Sequence, residues 1–187
     1  MLNFRTLATA SALGTFLAFP AVSQVALGGM ITGSDFDRVM EIAGSYGPVE
    51  RRTDEVGDWI RGEMGGTVYT ITFLNCDDND QNCTSLQFRA WWNSNGNYTA
   101  DHMNQWNRDR RFSDAYLDSR NNPTIEFDVN LAGGVTAVNF DDTVQWWQAV
   151  LRQFQDMVID PVSRGQPPVT SSTPVPEMPP VQTPPSK

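Results

Sequence analysis

Apolar and polar residues alternate along residues 67–73 and again along residues 86–92. A period of two is typical of strands that bury one face, so these two runs predict neighbouring, half-buried strands. In the first run Tyr69, Ile71 and Phe73 fall on one face, and in the second Leu86 and Phe88 do. Shorter strands and hairpin partners are predicted at residues 49–53, 58–64, 112–117 and 124–129.

Three other segments have the 3.6-residue periodicity of amphipathic helices. The first follows Ser34, the predicted N-cap, the second follows Thr99, and the third covers residues 138–157. Helix, strands, helix, hairpin and helix is the order expected of an α+β fold. Such a fold packs its helices on one face of an antiparallel sheet.

The two ends of the chain differ in composition from this central region. Residues 1–23 combine Arg5, an apolar stretch and small residues before the expected cleavage point, the pattern of a cleaved secretory signal. The stretch is too short for a lasting membrane span, which takes about 20 residues. Residues 160–187 are rich in proline and predict a disordered, semi-extended tail. Residues 30–159 then form one domain of a periplasmic or secreted protein.

The charge of the chain disfavours one large class of partners. The formal net charge is −9, and loss of Arg5 with the signal leaves 12 basic against 22 acidic residues, a net of −10. An acidic surface of this kind repels phosphate backbones. We therefore expect no binding to nucleic acid.

Both cysteines, Cys76 and Cys83, flank a polar loop between the two alternating strands. An exported protein meets an oxidising environment, so a disulfide that clips this hairpin is the favoured interpretation. A redox site is the weaker alternative, because the spacing lacks the tight C-x-x-C arrangement. Zinc is weaker still, since two thiols and His102 do not complete a four-ligand set.

Candidate catalytic groups are few, and none forms a recognisable arrangement. His102 is the only histidine, and no nucleophile motif accompanies it. Carboxylates are abundant, but 22 acidic residues will always supply some close pair. The run from Asp78 to Asn82 imitates a calcium loop without its glycine or its bidentate glutamate. The sequence predicts no enzyme, no cofactor and no metal.

Aromatic and basic residues are the better candidates for a binding surface. Trp91 and Trp92 are adjacent in a predicted strand, so one of them points away from the main core. Trp91 is the predicted outward residue, free to bind a partner or to pack beneath the stem of Arg89. Arg108 and Arg110 form a basic spot in an acidic chain and are predicted to face outward towards an acidic partner.

The basic spot lies inside a longer run of specified residues, N-x-W-N-x3-R-F-x2-A-Y-L. Its positions are filled by Asn104, Trp106, Asn107, Arg111, Phe112, Ala115, Tyr116 and Leu117. This run, the order of elements and the cysteine pair resemble the YbjN family, in particular a secreted, Cys-pair-containing subset. The resemblance implies a compact α+β domain similar to type III secretion chaperones and a role in sensory transduction, with no established reaction.

Within that run we assign structural roles to most of the specified residues. Trp106 and Phe112 are predicted core anchors, and Asn107 and Arg111 are predicted to hold the turn from helix to strand. Arg111 is expected to pair with Asp114 or Asp118. Asn104 and Tyr116 complete this structural set.

These observations favour a non-enzymatic periplasmic domain that binds an unidentified protein or peptide, in a regulatory or chaperone-like role. A domain that binds envelope glycan through exposed tryptophans is the first alternative. An unrecognised hydrolase is the second.

Overall fold

The structure is a computed structural model that describes residues 28–55, 57–79 and 81–169. The predicted signal, residues 1–23, lies outside the described residues, as do residues 170–187 of the predicted tail. The fold is α+β, as predicted, with one six-stranded antiparallel sheet in the order β2-β3-β4-β5-β7-β6. Its strands are β2 Val49–Asp54, β3 Gly57–Met64, β4 Thr67–Leu74, β5 Ser85–Trp91, β6 Asp114–Leu117 and β7 Pro123–Asn130. A two-stranded ribbon of β1 (Met30–Ile31) and β8 (Val135–Thr136) stands beside it.

Three helices cover one face of the sheet: α1 Phe36–Gly44, α2 Ala100–Asp109 and α3 Ala137–Phe154. The predicted alternation is confirmed, because Tyr69, Ile71 and Phe88 are fully buried on the helical side. From α3, Trp147 packs against this layer, with its ring centroid 5.6 Å from that of Phe88 and 6.1 Å from that of Tyr69. The opposite face of the sheet carries no helix among the described residues.

The predicted helix boundaries are partly right. Thr99 caps α2 as expected, since its Oγ1 accepts a hydrogen bond from the His102 N–H at 3.3 Å. The prediction of Ser34 as the N-cap of α1 is wrong, because Asp35 occupies that position. The Ser34 hydroxyl instead donates to Asn82 Oδ1 at 2.8 Å, which ties the start of α1 to the loop between β4 and β5.

The last helix differs from the uniform α-helix predicted for residues 138–157. After Phe154 the chain forms a π-helical turn, Gln155–Ile159, and then a short helix α4, Asp160–Ser163. Pro161, Val162 and Pro168 are buried, and the Val169 N–H donates to the Met157 carbonyl at 2.9 Å. Packed structure therefore continues for ten residues beyond the predicted domain boundary at 159.

The predicted disulfide is present between Cys76 and Cys83, with an S–S distance of 2.13 Å. It closes the loop between β4 and β5, whose last pair is Leu74 with Ser85. Cys83 also bridges to Gly33, where an added Cβ would lie 1.7 Å from the Cys83 carbonyl oxygen. The clip therefore anchors the segment that leads into α1, and only a glycine fits against it.

Candidate protein-interaction site

The turn that joins α2 to β6 is held by the side chain of Asn107. Its Nδ2 donates to the Ala115 carbonyl at 2.9 Å, and its Oδ1 accepts from the Ala115 N–H at 2.7 Å. The amide thus replaces the neighbouring strand that β6 lacks on its outer edge. This geometry supports the predicted role of Asn107, because both edge groups of Ala115 are satisfied.

Trp106 fixes the same helix from its buried side. Its side chain is 4% exposed, and its ring meets Phe154 edge-on at a centroid distance of 4.9 Å. The indole Nε1 donates to Ser113 Oγ at 3.1 Å. Trp106 is therefore the core anchor that the sequence predicts. Asn104, by contrast, is exposed, and its side chain makes no hydrogen bond with any described residue.

The prediction of Phe112 as a core anchor is wrong. Its side chain is 40% exposed, and its φ of 65° lies in the left-handed region that an aromatic residue rarely adopts. Because the backbone turns at Phe112, β6 begins at Asp114 rather than at residue 112. The ring stands 4.6 Å from that of Trp146 and 6.4 Å from that of Phe127. We call Phe112, Phe127 and Trp146 the aromatic shelf.

The shelf lies beside a part of β7 that has no neighbouring strand on its outer side. β6 pairs with β7 only as far as Asp114 with Glu126, while β5 pairs with β7 up to Asn130. The Pro123 carbonyl accepts from the Trp92 N–H at 3.0 Å, and the Leu131 N–H donates to the Thr84 carbonyl at 2.8 Å. The backbone N–H and carbonyl groups of the odd-numbered β7 residues therefore face β5. By alternation, the backbone groups of Asp128 and Asn130 face the other way.

Asp128 and Asn130 therefore each present an N–H and a carbonyl at the outer edge, and neither forms a backbone hydrogen bond there with any described residue. A groove of about 370 Å³ opens at this edge. Its walls include Phe112, Asp114, Phe127 and Asp128. We call the stretch from Asp128 to Asn130 the open β7 edge.

The three arginines of the motif take different positions. Arg111 makes no ion pair with Asp114 or Asp118, so that prediction is wrong; its guanidinium lies 4.8 Å from the centroid of the Phe112 ring. Arg108 is exposed in the last turn of α2 and remains a candidate for binding.

Arg110 does not face freely outward as predicted. Its Nη2 contacts Met157 Sδ at 2.7 Å, and its guanidinium lies 5.7 Å from the centroid of the Trp106 ring. Its Nε is buried without a hydrogen-bond partner among the described residues. Arg110 thus packs between α2 and the π-helical turn, because its long side chain crosses the gap between them.

Trp91 points from the helix-free face of the sheet, as the alternation predicts, and is 45% exposed. It pairs across strands with Thr124, which in turn pairs with Tyr116. Thr124, the residue between them in the sheet, is fully buried. The Arg89 guanidinium lies 5.9 Å from the centroid of the Trp91 ring. Trp91 therefore belongs to a different surface from the aromatic shelf, and the predicted binding residues do not form one site.

Tyr116 joins a polar group on the same helix-free face. Its hydroxyl donates to Glu126 Oε1, which also lies 3.2 Å from Arg89 Nε. Burial, followed by the hydrogen bond and charge of Glu126, raises the pKa of Tyr116 to about 12. The phenol is therefore neutral at physiological pH, and it fixes β6 to β7 as the predicted structural role requires.

Asp118 closes the hairpin between β6 and β7 instead of pairing with Arg111. Its Oδ1 accepts from the backbone N–H groups of Asn122 and Arg120, at 2.9 and 2.8 Å. The hydrogen bond from the Asn122 N–H has the larger effect, and the two bonds together lower the pKa of the Asp118 carboxyl. The carboxylate therefore remains ionised and holds the hairpin turn.

The described residues bring together no catalytic arrangement. The groove beside His102 is lined by Gln105, Asp109, Arg110 and apolar side chains, without a serine or a cysteine. Beside the run that imitates a calcium loop, the Asp77 carboxylate accepts from the backbone N–H groups of Asn79 and Gln81 and from Asn82 Nδ2. In the part of the chain that the structure describes, no three histidine, cysteine or acidic residues are placed to hold a metal ion.

Sequence reasoning missed two parts of this surface. Trp146 lies in α3, so its contact with Phe112 joins residues far apart in the chain. The open β7 edge arises because β7 has eight residues and β6 only four. The turn signal of residues 120–123 locates the hairpin but does not fix the length of either strand.

The fold and this surface define a class: a small α+β domain with a clamped edge strand and an exposed aromatic groove. Residues 23–160 match the sequence model of YbjN, described as "Putative bacterial sensory transduction regulator". The chain belongs to the YbjN family. No curated protein matches it in sequence. Among the described residues, no helix has both the length and the apolar character needed to cross a membrane.

Proposed function

We propose that this protein is a non-enzymatic regulatory domain that acts outside the cytoplasm by binding another protein through the aromatic shelf. The observation that carries the proposal is Phe112. A left-handed backbone costs about 1–2 kcal/mol for a residue other than glycine, and Phe112 adopts it while 40% of the residue stays exposed. Strained residues of this kind cluster at binding sites.

The family supports this proposal, since its description as a "Putative bacterial sensory transduction regulator" is compatible with a protein-binding role. A chaperone-like mode, in which the domain holds a segment of its partner, is the finer part of the proposal. It is supported by the groove of about 370 Å³ beside the open β7 edge, since extended segments bind at such edges.

Phe112→Gly is the variant that tests the shelf. Glycine accepts the left-handed backbone, and this gain offsets the loss of the contact with Trp146, so we expect the stability to change by less than about 1 kcal/mol. The matched control is Trp91→Ala, which removes an exposed aromatic ring from the opposite face.

Each purified variant is used to capture partners from an envelope extract after chemical crosslinking. A partner captured by the wild type and by Trp91→Ala, but lost with Phe112→Gly, is the expected result. A partner lost only with Trp91→Ala would move the interaction to the helix-free face and contradict the proposal.

An extracytoplasmic location is supported by the disulfide between Cys76 and Cys83, because such bonds persist in oxidising compartments. The test is fractionation of cells that express the full chain, followed by alkylation before and after reduction. We expect the protein outside the cytoplasm, with thiols that are labelled only after reduction. Free thiols in a cytoplasmic fraction would contradict this part of the proposal.

Glycan binding is the second candidate, favoured by the exposed ring of Trp91 on the helix-free face. Sugar rings stack on exposed indoles. Purified peptidoglycan is mixed with the chain and sedimented. We expect the protein to remain in the supernatant, and cosedimentation that Trp91→Ala abolishes would establish the glycan function instead.

A further inference from the structure

Building on the proposed function, we infer that the aromatic groove takes its partner as an added strand on the open β7 edge. The inferred occupant is an extended segment in which apolar and basic residues alternate. The inference concerns the manner of binding and the chemistry of the partner, whereas the proposed function concerns only the surface used.

The backbone of β7 supplies the first part of the recognition. Asp128 and Asn130 each present one N–H and one carbonyl, so four hydrogen-bonding groups lie along the outer edge of β7, which the groove adjoins at Asp128. An incoming strand that is antiparallel to β7 lies in line with β6 and satisfies all four. Such main-chain bonds provide affinity without reading side chains.

The side chains beside this edge then select the alternating pattern. On the helical side, the incoming residues meet the aromatic shelf, where the rings of Phe112 and Trp146 are 4.6 Å apart. On the helix-free side they meet Asp114 and Asp128, which are both exposed. Neither carboxylate has an ion-pair partner among the described residues. Successive residues of a strand point to opposite faces, so apolar residues must alternate with lysine or arginine.

The same carboxylates disfavour a second copy of this chain as the occupant. Edge-to-edge pairing of two β7 strands brings the acidic groups of both copies together, and like charges that face each other across strands are destabilising. Proteins commonly protect strand edges with charges of this type. A basic partner segment converts the repulsion into attraction.

The probes are two blocked hexapeptides, one of alternating valine and lysine and one of alternating valine and glutamate. Titrated into the purified chain, the lysine peptide should bind about tenfold more tightly than the glutamate peptide. Hydrogen exchange in the free chain should be fast at the amides of Asp128 and Asn130 and slow at those of Phe127 and Val129. The lysine peptide should slow exchange at Asp128 and Asn130.

Equal binding of the two peptides, or binding without protection of these two amides, would overturn the inference. Sedimentation of the free chain as a dimer with Asp128 and Asn130 already protected would assign the edge to a second copy, with the same consequence. In each of these cases, loss of partner capture in Phe112→Gly would still support the proposed function.

Two substitutions at one position separate the backbone from the charge. Asp128→Pro removes the outward N–H and should abolish binding of the lysine peptide. An edge strand tolerates proline at a position whose N–H faces solvent. Asp128→Asn keeps the N–H and should only reduce the preference for lysine over glutamate. Binding of the lysine peptide that persists in a folded Asp128→Pro variant would refute strand addition. If that variant does not fold, the exchange measurement on the wild type decides.

Discussion

Replacement of Asn107 by alanine tests the clamp that joins α2 to β6. The change removes both hydrogen bonds to Ala115, at 2.9 and 2.7 Å, and leaves an N–H and a carbonyl without partners. The matched control is Asn104→Ala, the same substitution at another exposed position of the same helix, where the side chain makes no hydrogen bond with a described residue. Both variants gain the same helix propensity, so the difference between them isolates the clamp.

The expected magnitude follows from the two bonds. Each contributes about 0.5–1.5 kcal/mol net, and a buried group left unsatisfied costs about 1–3 kcal/mol. Ala115 is only 4% exposed, so water replaces the amide poorly. We therefore expect Asn107→Ala to be about 2–4 kcal/mol less stable than Asn104→Ala. In a domain of this size that corresponds to a melting temperature lower by about 6–12 °C.

Urea denaturation followed by circular dichroism measures both variants, and hydrogen exchange at the Ala115 amide locates the effect. The exchange should become faster in Asn107→Ala and stay unchanged in Asn104→Ala. Equal midpoints for the two variants would refute the reasoning, since they would show that water satisfies the β6 edge as well as the Asn107 amide does.

Three further predictions test the anchor, the clip and the buried phenol. Trp106→Ala should cost about 3–5 kcal/mol in urea denaturation, because the ring packs on Phe154; a cost below about 1 kcal/mol would show that it is no anchor. Reduction of Cys76 and Cys83 should lower stability by about 2.5 kcal/mol, the entropy of a short closed loop, and an unchanged melting curve would contradict this role. The raised pKa of Tyr116, about 12, favours the neutral phenol in the fold, so its contribution is complete below pH 10 and lost as the pH rises through 12. Tyr116→Phe should therefore lose less stability than the wild type between pH 10 and 12, and parallel losses in the two proteins would count against this account.

Local pattern was enough to predict most of the fold. Alternation identifies β4 and β5 and the face that each buries, because both strands have one apolar side and one polar side. Thr99 is predictable as a cap because a side-chain oxygen in front of an amphipathic run is a local signal. The π-helical turn at Gln155–Ile159 has no such signal, since its residues also suit an α-helix.

The candidate site was harder to predict because its features depend on tertiary contacts. An aromatic residue at the start of the predicted strand 112–117 favours an extended backbone, yet Phe112 is left-handed. Charge proximity suggested a pair between Arg111 and Asp118, but the backbone N–H groups of Asn122 and Arg120 bind that carboxylate. The local sequence predicts an outward Arg110. Its contact with Met157 joins residues 47 positions apart, so no local pattern indicates it.

The structural and binding halves of the motif are linked through one edge of the sheet. Asn107 occupies the outer edge of β6, so no partner strand can add there without displacing its amide. The outer edge of the sheet is unpaired again only beyond Glu126, where the pairing of β7 with β6 stops and β7 continues. Phe112, in the turn between the clamp and β6, directs its ring towards Trp146 beside that opening. The residues that hold the turn in place therefore also confine an added strand to a single stretch of β7.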